Sequence, residues 1–298
     1  MHFFTAVFAC LLLGLGCASG AAAETYGAAG AEGADLRAQQ WLVPSGDAAV
    51  ASHAILFRPD GDGPFPLAVI AHASTQNVLR RAQMSQPEYK PLAAFLVRNG
   101  FAVLVPERLG HGATGGPYLE DQGGCDEADY ARAGRATAEE IAAALRFMRT
   151  QPFVRPDRAI VIGHSAGGWG ALALAASEPR EIAAIVAFAP GRGGHANDRE
   201  NEVCAPHTLI AAAGTFGKAT RVPVTWLVAA NDTYFSPELS RKLAEAFRAA
   251  GGKVQFSVLP PSGSEGHWMV ETEGGVRLAE GALLRALNTD VSRTGRKP

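Results

Sequence analysis

The segment GHSAG at residues 163–167 stands between a β-branched apolar run and an Ala/Leu-rich run. Gly and Ser are poor residues for the interior of a strand or a helix, so the segment predicts a sharp turn between the two. A Gly-X-Ser-X-Gly turn of this kind lifts the serine hydroxyl clear of a sheet, at the amino end of the next helix. The positive potential of that helix end stabilises an anion formed beside the serine. The alternative for Ser165 is a helix N-cap, but the pattern favours a nucleophile.

Two further side chains follow later apolar runs and could assist such a serine. Asp232 follows the run 223–231, and His267 lies in a Gly/Ser-rich loop after the run 254–260. An imidazole can accept the serine proton, and a carboxylate can hold the imidazole in the required tautomer. The alternative for Asp232 is a turn residue before a helix, and that for His267 is a core histidine. The loop composition disfavours the alternative for His267.

These residues must be positioned by a regular alternation of strands and helices. We predict strands at 54–57, 66–73, 101–106, 158–164, 182–190, 223–232 and 254–260, and helices at 90–100, 126–150, 166–177, 236–252 and 274–288. Such alternation predicts an α/β fold with a mostly parallel central sheet and helices on both faces. Ligands of such sheets bind beyond the carboxyl ends of the strands, where the three candidate residues are expected to meet.

The sequence resembles the α/β-hydrolase family, in particular its dienelactone-hydrolase-like branch, over roughly residues 50–288. The resemblance is carried by the 163–167 turn, by the order Ser, Asp, His, and by PERLGHGATGG after the strand at 101–106. It implies acyl transfer to Ser165, with His267 as the base and Asp232 orienting it.

The resemblance also implies an oxyanion hole made of backbone N–H groups. One is that of Ala166, and the second comes from the turn at 72–74. Ser74 is favoured for the second donor over Ala73, which stands where the family often has Gly.

Four other residues near these segments are expected to have structural roles. His72 is expected to shape its loop, His164 to pack beneath the 163–167 turn, and Trp169 to lie in the core. Arg192 is expected to be a solvated loop arginine rather than a ligand of a substrate carboxylate.

Composition excludes several classes of protein. The 298 residues are 47% hydrophobic and 19% charged, with a net charge of −2, which is typical of a globular protein and does not suggest nucleic acid as a partner. The glycine-rich segment around His111 lacks the Gly-Lys-Ser/Thr of a phosphate loop, so nucleotide binding is rejected. The sequence has no CxxC and no His/Cys cluster at metal-ligand spacing, and we predict neither a metal nor a cofactor.

Residues 1–23 are predicted to be a secretory signal peptide, with an apolar core over 3–15 and a cleavage site at Ala21-Ala22-Ala23. The core is shorter than the ~20 residues of a stable membrane span. We therefore expect a periplasmic or secreted protein; a lipoprotein anchored through Cys17 ranks second. Residues 24–49 are predicted to be a loose lead-in.

Cys125 and Cys204 remain after the signal peptide, and an oxidising compartment favours a disulfide between them. Both follow strands of the predicted sheet, so the bond would tie the loop 107–125 to a short lid at 191–221. The catalytic domain is then a single unit over 50–290.

The sequence thus predicts an exported serine hydrolase that cleaves small carboxylic esters. The alternatives are a serine peptidase of the same fold and a catalytically silent binding protein; the complete set of Ser, Asp and His disfavours the latter. A dehalogenase would carry Asp at position 165, and a dienelactone hydrolase in the strict sense would carry Cys.

Overall fold

The structure is a computed structural model that describes residues 26–177 and 180–294, with side chains through residue 288. The segment 1–23 lies outside the described residues, so the signal peptide stays a prediction. None of the helices within the described ranges has the length and apolar character that crossing a membrane requires.

A nine-stranded sheet forms the centre of the described chain. Its strands are β1 (Gly27–Ala28), β2 (Gln39–Pro44), β3 (Ala51–Phe57), β4 (Leu67–Ala71), β5 (Ala102–Pro106), β6 (Ala159–His164), β7 (Ile182–Phe188), β8 (Val224–Ala229) and β9 (Val254–Leu259). They are ordered β1-β2-β3-β5-β4-β6-β7-β8-β9. The pairings among β1, β2, β3 and β5 are antiparallel, and those from β5 through β9 are parallel. The predicted mostly parallel α/β sheet is confirmed.

Helices cover both faces of this sheet. They are α1 (Val78–Ala82), α2 (Lys90–Arg98), α3 (Tyr130–Met148), α4 (Ala166–Ser177), α5 (Pro206–Ala219), α6 (Pro237–Ala249) and α7 (Glu273–Thr294). α2 and α7 pack on one face, and α3 to α6 pack on the other.

The central strands are continuous apolar runs because both of their faces are buried. Along β4 and β6, Val69 and Val161 point into the core beneath α3 to α6, whereas Ile70 and Ile162 point into the core beneath α2 and α7. Every residue of β6 is buried, so the strand leading to Ser165 is held on both sides.

Two sequence expectations are corrected by these elements. The predicted lead-in 24–49 is not loose: β1 and β2 lie within it, and β2 pairs along its whole length with β3. The predicted lid 191–221 is irregular only in its first half, because 206–219 forms α5. That helix buries Leu209 and Phe216 against α3, α4 and α6 and belongs to the helical layer.

Candidate active site

Ser165 lies on the sharp turn between β6 and α4, with a positive φ of 54°. A left-handed backbone is costly for a residue other than glycine and persists only where the surroundings enforce it. The Ser165 N–H donates to the Phe188 carbonyl at 2.9 Å, and the Ser165 carbonyl accepts the N–H of Trp169 at 2.9 Å. The turn is therefore fixed by both the sheet and the helix.

Asp232 and His267 follow β8 and β9, and the structure brings them together. Asp232 Oδ2 lies 3.0 Å from His267 Nδ1, and both side chains are buried. Asp232 Oδ1 accepts the backbone N–H groups of Tyr234 at 2.9 Å and Phe235 at 2.8 Å. The carboxylate is thus held in place on one side and presented to the imidazole on the other.

Burial lowers the pKa of His267 below its ordinary value, although the hydrogen bond and charge of Asp232 act in the opposite direction. The imidazole is therefore neutral in neutral solution. With Nδ1–H donated to Asp232, its Nε2 carries a lone pair that can accept a proton.

Glu265 ties the loops of Asp232 and His267 to each other, a role that the sequence analysis missed. Its Oε1 accepts the N–H of His267 at 2.9 Å and the N–H of Thr233 at 3.1 Å. Its Oε2 accepts the hydroxyl of Thr233. An acidic residue two positions before a loop histidine was the only sequence signal for this role.

The turn after β4 supplies the other side of the site. The Ala73 N–H donates to the Tyr89 hydroxyl at 3.0 Å, so this amide is already engaged. Ser74 and Ala166 both line the cavity that contains Ser165. Of the two residues considered for the second oxyanion donor, Ser74 is thus the one whose amide is not held by Tyr89.

The Ser74 hydroxyl is held by His111. The two lie 2.7 Å apart at Ser74 Oγ and His111 Nε2, and His111 Nδ1 lies 2.9 Å from the Leu109 carbonyl. Burial lowers the pKa of His111 to about 4. The ring is therefore neutral, donates from Nδ1 and accepts the Ser74 hydroxyl at Nε2.

His164 packs beneath the turn, as the sequence analysis expected, and it connects the two sides of the site. Its Nε2 lies 2.8 Å from the His267 carbonyl, and its Nδ1 lies 2.9 Å from the Tyr89 hydroxyl. A carbonyl only accepts, so His164 Nε2 donates to the His267 carbonyl. One chain of hydrogen bonds therefore runs from the Ala73 amide to the loop of His267.

Arg192 is a buried ion-pair partner, which contradicts the expectation of a solvated loop arginine. Glu120 is shared between Arg192 and Arg108, and all three side chains are buried. Burial alone would raise the pKa of Glu120, but the two guanidinium groups outweigh that effect and lower it. The segment after β5, which holds Arg108 and Glu120, is thereby anchored to the segment after β7.

The remaining expectations concern His72 and Trp169. His72 is buried and accepts the Arg108 N–H at 3.1 Å, which fits a structural role, and burial lowers its pKa well below the ordinary value. Trp169 is fully buried and donates its indole N–H to the Tyr130 carbonyl at 2.8 Å. Trp169 is thus a core residue.

Ser165 and His267 face one cavity of about 680 Å³. Within the described ranges, no hydrogen bond joins Ser165 Oγ to His267 Nε2. Catalytic hydrogen bonds are often long in the free enzyme and tighten when substrate binds. The described residues also contain no group of three or more His, Cys, Asp or Glu side chains that could hold a metal ion.

A disulfide joins Cys125 to Cys204, as the sequence analysis expected, with a Cα–Cα distance of 5.0 Å. The Cys204 N–H donates to the Gly193 carbonyl at 2.9 Å, and the Tyr130 hydroxyl donates to the Cys204 carbonyl. The bond therefore links the segment after β5 to the segment after β7.

The family comparison matches most of the chain: the sequence model of the dienelactone hydrolase family covers residues 53–265. A search of curated protein sequences gives no significant match.

Solved structures with the same fold have low sequence identity. A candidate dienelactone hydrolase from Klebsiella pneumoniae is 17% identical, with a TM-score of 0.55, and the match covers 85% of this chain and 98% of that one. Est1E from Butyrivibrio proteoclasticus, solved with ferulic acid, is 16% identical, with a TM-score of 0.58 and coverage of 84% and 99%.

A match to the acylaminoacyl peptidase from Pyrococcus horikoshii is 12% identical, with a TM-score of 0.58, and covers 83% of this chain and 40% of that one. The chain thus spans well under half of that peptidase. At these identities the matches show the fold alone.

Proposed function

Because the chain belongs to the dienelactone hydrolase family and has the α/β-hydrolase fold, we propose that this hydrolase cleaves carboxylic esters through an acyl-enzyme on Ser165. The observation that carries the proposal is the hydrogen bond between Asp232 and His267, because it orients the imidazole in the cavity that contains Ser165. The positive φ of Ser165 supports the same role, since it presents the hydroxyl at the start of α4.

In the proposed mechanism, Ser165 Oγ attacks the ester carbonyl while His267 Nε2 takes the hydroxyl proton. Asp232 stabilises the imidazolium through Nδ1–H. The N–H groups of Ala166 and Ser74 donate to the oxyanion of the tetrahedral intermediate. His267 then passes its proton to the departing alkoxide, which leaves as an alcohol.

A water molecule resolves the acyl-enzyme by the same steps. His267 accepts a proton from the water as it attacks the acyl carbon, and returns it to Ser165 Oγ when the acid is released. The buried setting of His267 suits this cycle, because a lowered pKa keeps the base neutral between turnovers.

We also propose that the protein is exported to the periplasm or beyond, after cleavage of residues 1–23. The disulfide between Cys125 and Cys204 supports this location, since such bonds persist mainly in oxidising compartments.

An active-site-directed fluorophosphonate, with peptide mapping, tests the nucleophile. We expect labelling of Ser165 in the natural protein and none in Ser165→Ala, whose ester turnover should fall by ~10⁴-fold or more. Ser177→Ala, at the opposite end of α4, is the matched control and should keep both labelling and turnover.

Three outcomes would change the proposal. Undiminished turnover by folded Ser165→Ala would refute the nucleophile. Absence of labelling and of turnover in the natural protein would favour a silent binding protein. A higher kcat/KM for a matched amide than for the ester would favour a peptidase.

A further inference from the structure

The ring of Tyr234 lies face to face with the imidazole of His267. Their centroids are 4.3 Å apart, and their planes are inclined by 21°. The other rings that contact His267 within the described chain are inclined to it by 47° to 86°, namely those of His164, Phe235 and Trp268. Tyr234 therefore covers one face of the imidazole, whereas the other rings meet it at an angle.

A second imidazole, that of His195 in the segment after β7, is stacked on Tyr234. Here the centroids are 3.5 Å apart, and the planes are inclined by 12°. Two rings cannot share one face of Tyr234 at these distances, so His195 and His267 lie on opposite faces. All three side chains line the cavity that contains Ser165. The Tyr234 ring is thus enclosed, and it cannot turn away from His267 unless His195 moves.

Hydrogen bonds to Thr233 hold His195 in this position. His195 Nε2 lies 2.9 Å from Thr233 Oγ1, and the Thr233 hydroxyl donates to the Glu265 carboxylate. A hydroxyl has a single hydrogen, so His195 Nε2 is the donor to Thr233. The backbone of the same segment is also tied to this loop, because the Asn201 N–H donates to the Thr233 carbonyl at 2.7 Å.

A hydrogen bond and a stacked ring restrain different movements of His267. The bond to Asp232 fixes the position of Nδ1, and the Tyr234 ring limits the tilt of the imidazole plane. An aromatic face carries partial negative charge and attracts a cation placed over it. In the proposed mechanism, His267 becomes such a cation when it takes the Ser165 proton. Because His267 is buried, little water competes with this attraction.

We propose that Tyr234 is a positioning residue that stabilises the imidazolium form of His267 across the stacked rings, and that His195 holds Tyr234 in place for this role. The inference rests on the proposed ester hydrolysis at Ser165 and assigns two further residues to that site. Neither residue transfers a proton or an acyl group, and both act through His267.

Exchanging the ring at position 234 at nearly constant shape tests the proposal. Tyr234→Phe keeps the negative face, whereas Tyr234→pentafluorophenylalanine reverses its charge distribution, because fluorine withdraws electrons from the ring. We expect Tyr234→Phe to keep kcat within about twofold, and the fluorinated variant to lower it by about 3- to 30-fold. The same exchange at Tyr26, which contacts Phe147 outside the cavity, is the matched control and should leave kcat unchanged.

The pH profile separates stabilisation of the cation from simple packing. Besides burial, charged or titratable side chains act on His267 or lie behind Tyr234, namely Asp232, Glu265, His164 and His195. The exchange leaves them all in place, and Tyr234 stays neutral because burial raises its pKa. A less stable imidazolium has a lower pKa, so the acid limb of kcat/KM should move to lower pH in the fluorinated variant. NMR titration of His267 should show the same shift without substrate.

His195→Asn removes the second ring and tests whether it acts through Tyr234. Residue 195 has a φ of 53°, which Asn tolerates better than most residues do. We expect His195→Asn to lower kcat by about threefold in the natural protein and to lower it no further when Tyr234→Leu is already present. Two residues that act through one contact give losses that do not add. If Tyr234→Leu does not fold, the fluorinated variant takes its place in this cycle.

A fluorinated variant with the rate and the His267 titration of Tyr234→Phe would overturn the proposal. An acid limb displaced to higher pH would do the same, since the ring would then serve only to exclude water. A loss in Tyr234→Phe as large as that in the fluorinated variant would assign the effect to the hydroxyl instead. Equal losses from His195→Asn in both backgrounds would overturn the role of His195.

Failure of the proposed function is distinguishable from failure of this inference. Ester turnover and labelling of Ser165 would then be absent from the natural protein, whereas NMR titration of His267 in the ring variants would still measure the effect of the stacked contact.

Discussion

His267 is subject to two opposing influences that together set the conditions for activity. Burial lowers its pKa, and Asp232 counteracts part of that effect. Glu265 fixes the backbone of the same residue, so the ring is oriented by one carboxylate and its loop by another. The imidazole that we propose as the base is thus positioned before substrate arrives, as general base catalysis requires.

The pH profile of ester hydrolysis follows from the state of this imidazole. In the proposed mechanism only neutral His267 accepts the Ser165 proton, so kcat/KM is expected to rise with pH through the pKa of His267. Because burial lowers that pKa, the acid limb should lie below ~6.5, the value of an unperturbed histidine. Initial rates across the acid range in buffers of constant ionic strength measure it. A limb well above that value would contradict the burial of His267.

Asp232→Asn removes the group that orients His267 and raises its pKa. We expect the plateau of kcat to fall by about 10⁴-fold, since the wrong tautomer is then favoured, and the acid limb to move to still lower pH. Asp157→Asn, in a surface ion pair with Arg155, is the matched control and should leave the profile unchanged. A full-rate Asp232→Asn variant would remove Asp232 from the mechanism.

The turn between β6 and α4 depends on close contact between backbone segments. A Cβ atom on Gly167 would overlap the carbonyl of Ala71 at the end of β4, and one on Gly163 would overlap the backbone of Gly168. Glycine is required here because the first turn of α4 lies directly against the neighbouring strand. The same contact brings the Ala166 amide close to the turn that carries Ser74.

Gly167→Ala is expected to push α4 away from β4. Overpacking of this kind costs about 1–3 kcal/mol in the free energy of unfolding, and kcat should fall as the Ala166 amide moves. Gly274→Ala, in the first turn of α7, meets no atom within 4 Å and should be neutral or stabilise by up to about 1 kcal/mol. Urea unfolding and ester kinetics on both variants measure the difference, and equal stabilities would contradict the packing argument.

At the scale of the whole molecule, the disulfide between Cys125 and Cys204 joins two segments that are far apart in the sequence. The two residues are 79 positions apart, and the intervening chain contains β6, α4 and β7. The buried ion pair of Glu120 with Arg192 connects the same two segments, and Arg108 holds Glu120 from within the segment after β5. The cavity wall that includes Arg192 is therefore held by a covalent and an ionic link together.

Replacing both cysteines by alanine is expected to lower the free energy of unfolding by about 3–5 kcal/mol. The disulfide closes a loop across a sequence separation of 79, and without it the unfolded chain gains conformational entropy. Urea unfolding with and without reductant measures the effect, and reductant should have no effect on the double variant. Alkylation of both thiols in unreduced protein from the periplasm would contradict the disulfide and weaken the proposal of export.

The predictable parts of the fold are those in which a local pattern has a single structural explanation. The central strands were located because strands buried on both faces are continuous apolar runs. β2 was missed because its residues QQWLVP alternate only in part, and only its pairing with β3 makes it a strand. α5 was missed because its two glycines are typical of a loop. Gly217 is instead needed within the helix, because the backbone of Phe247 in α6 leaves no room there for a Cβ atom.

The sequence by itself determined the turn at Ser165, the order Ser165, Asp232, His267 and the α/β class, because each depends on residues near in sequence or on a regular alternation. Tertiary structure alone decided the partners of those residues. Tyr89 and His164 are 75 positions apart, and His164 and His267 are 103 apart. A hydrogen bond requires two atoms within about 3 Å, and no local pattern encodes that distance for residues brought together by different strands.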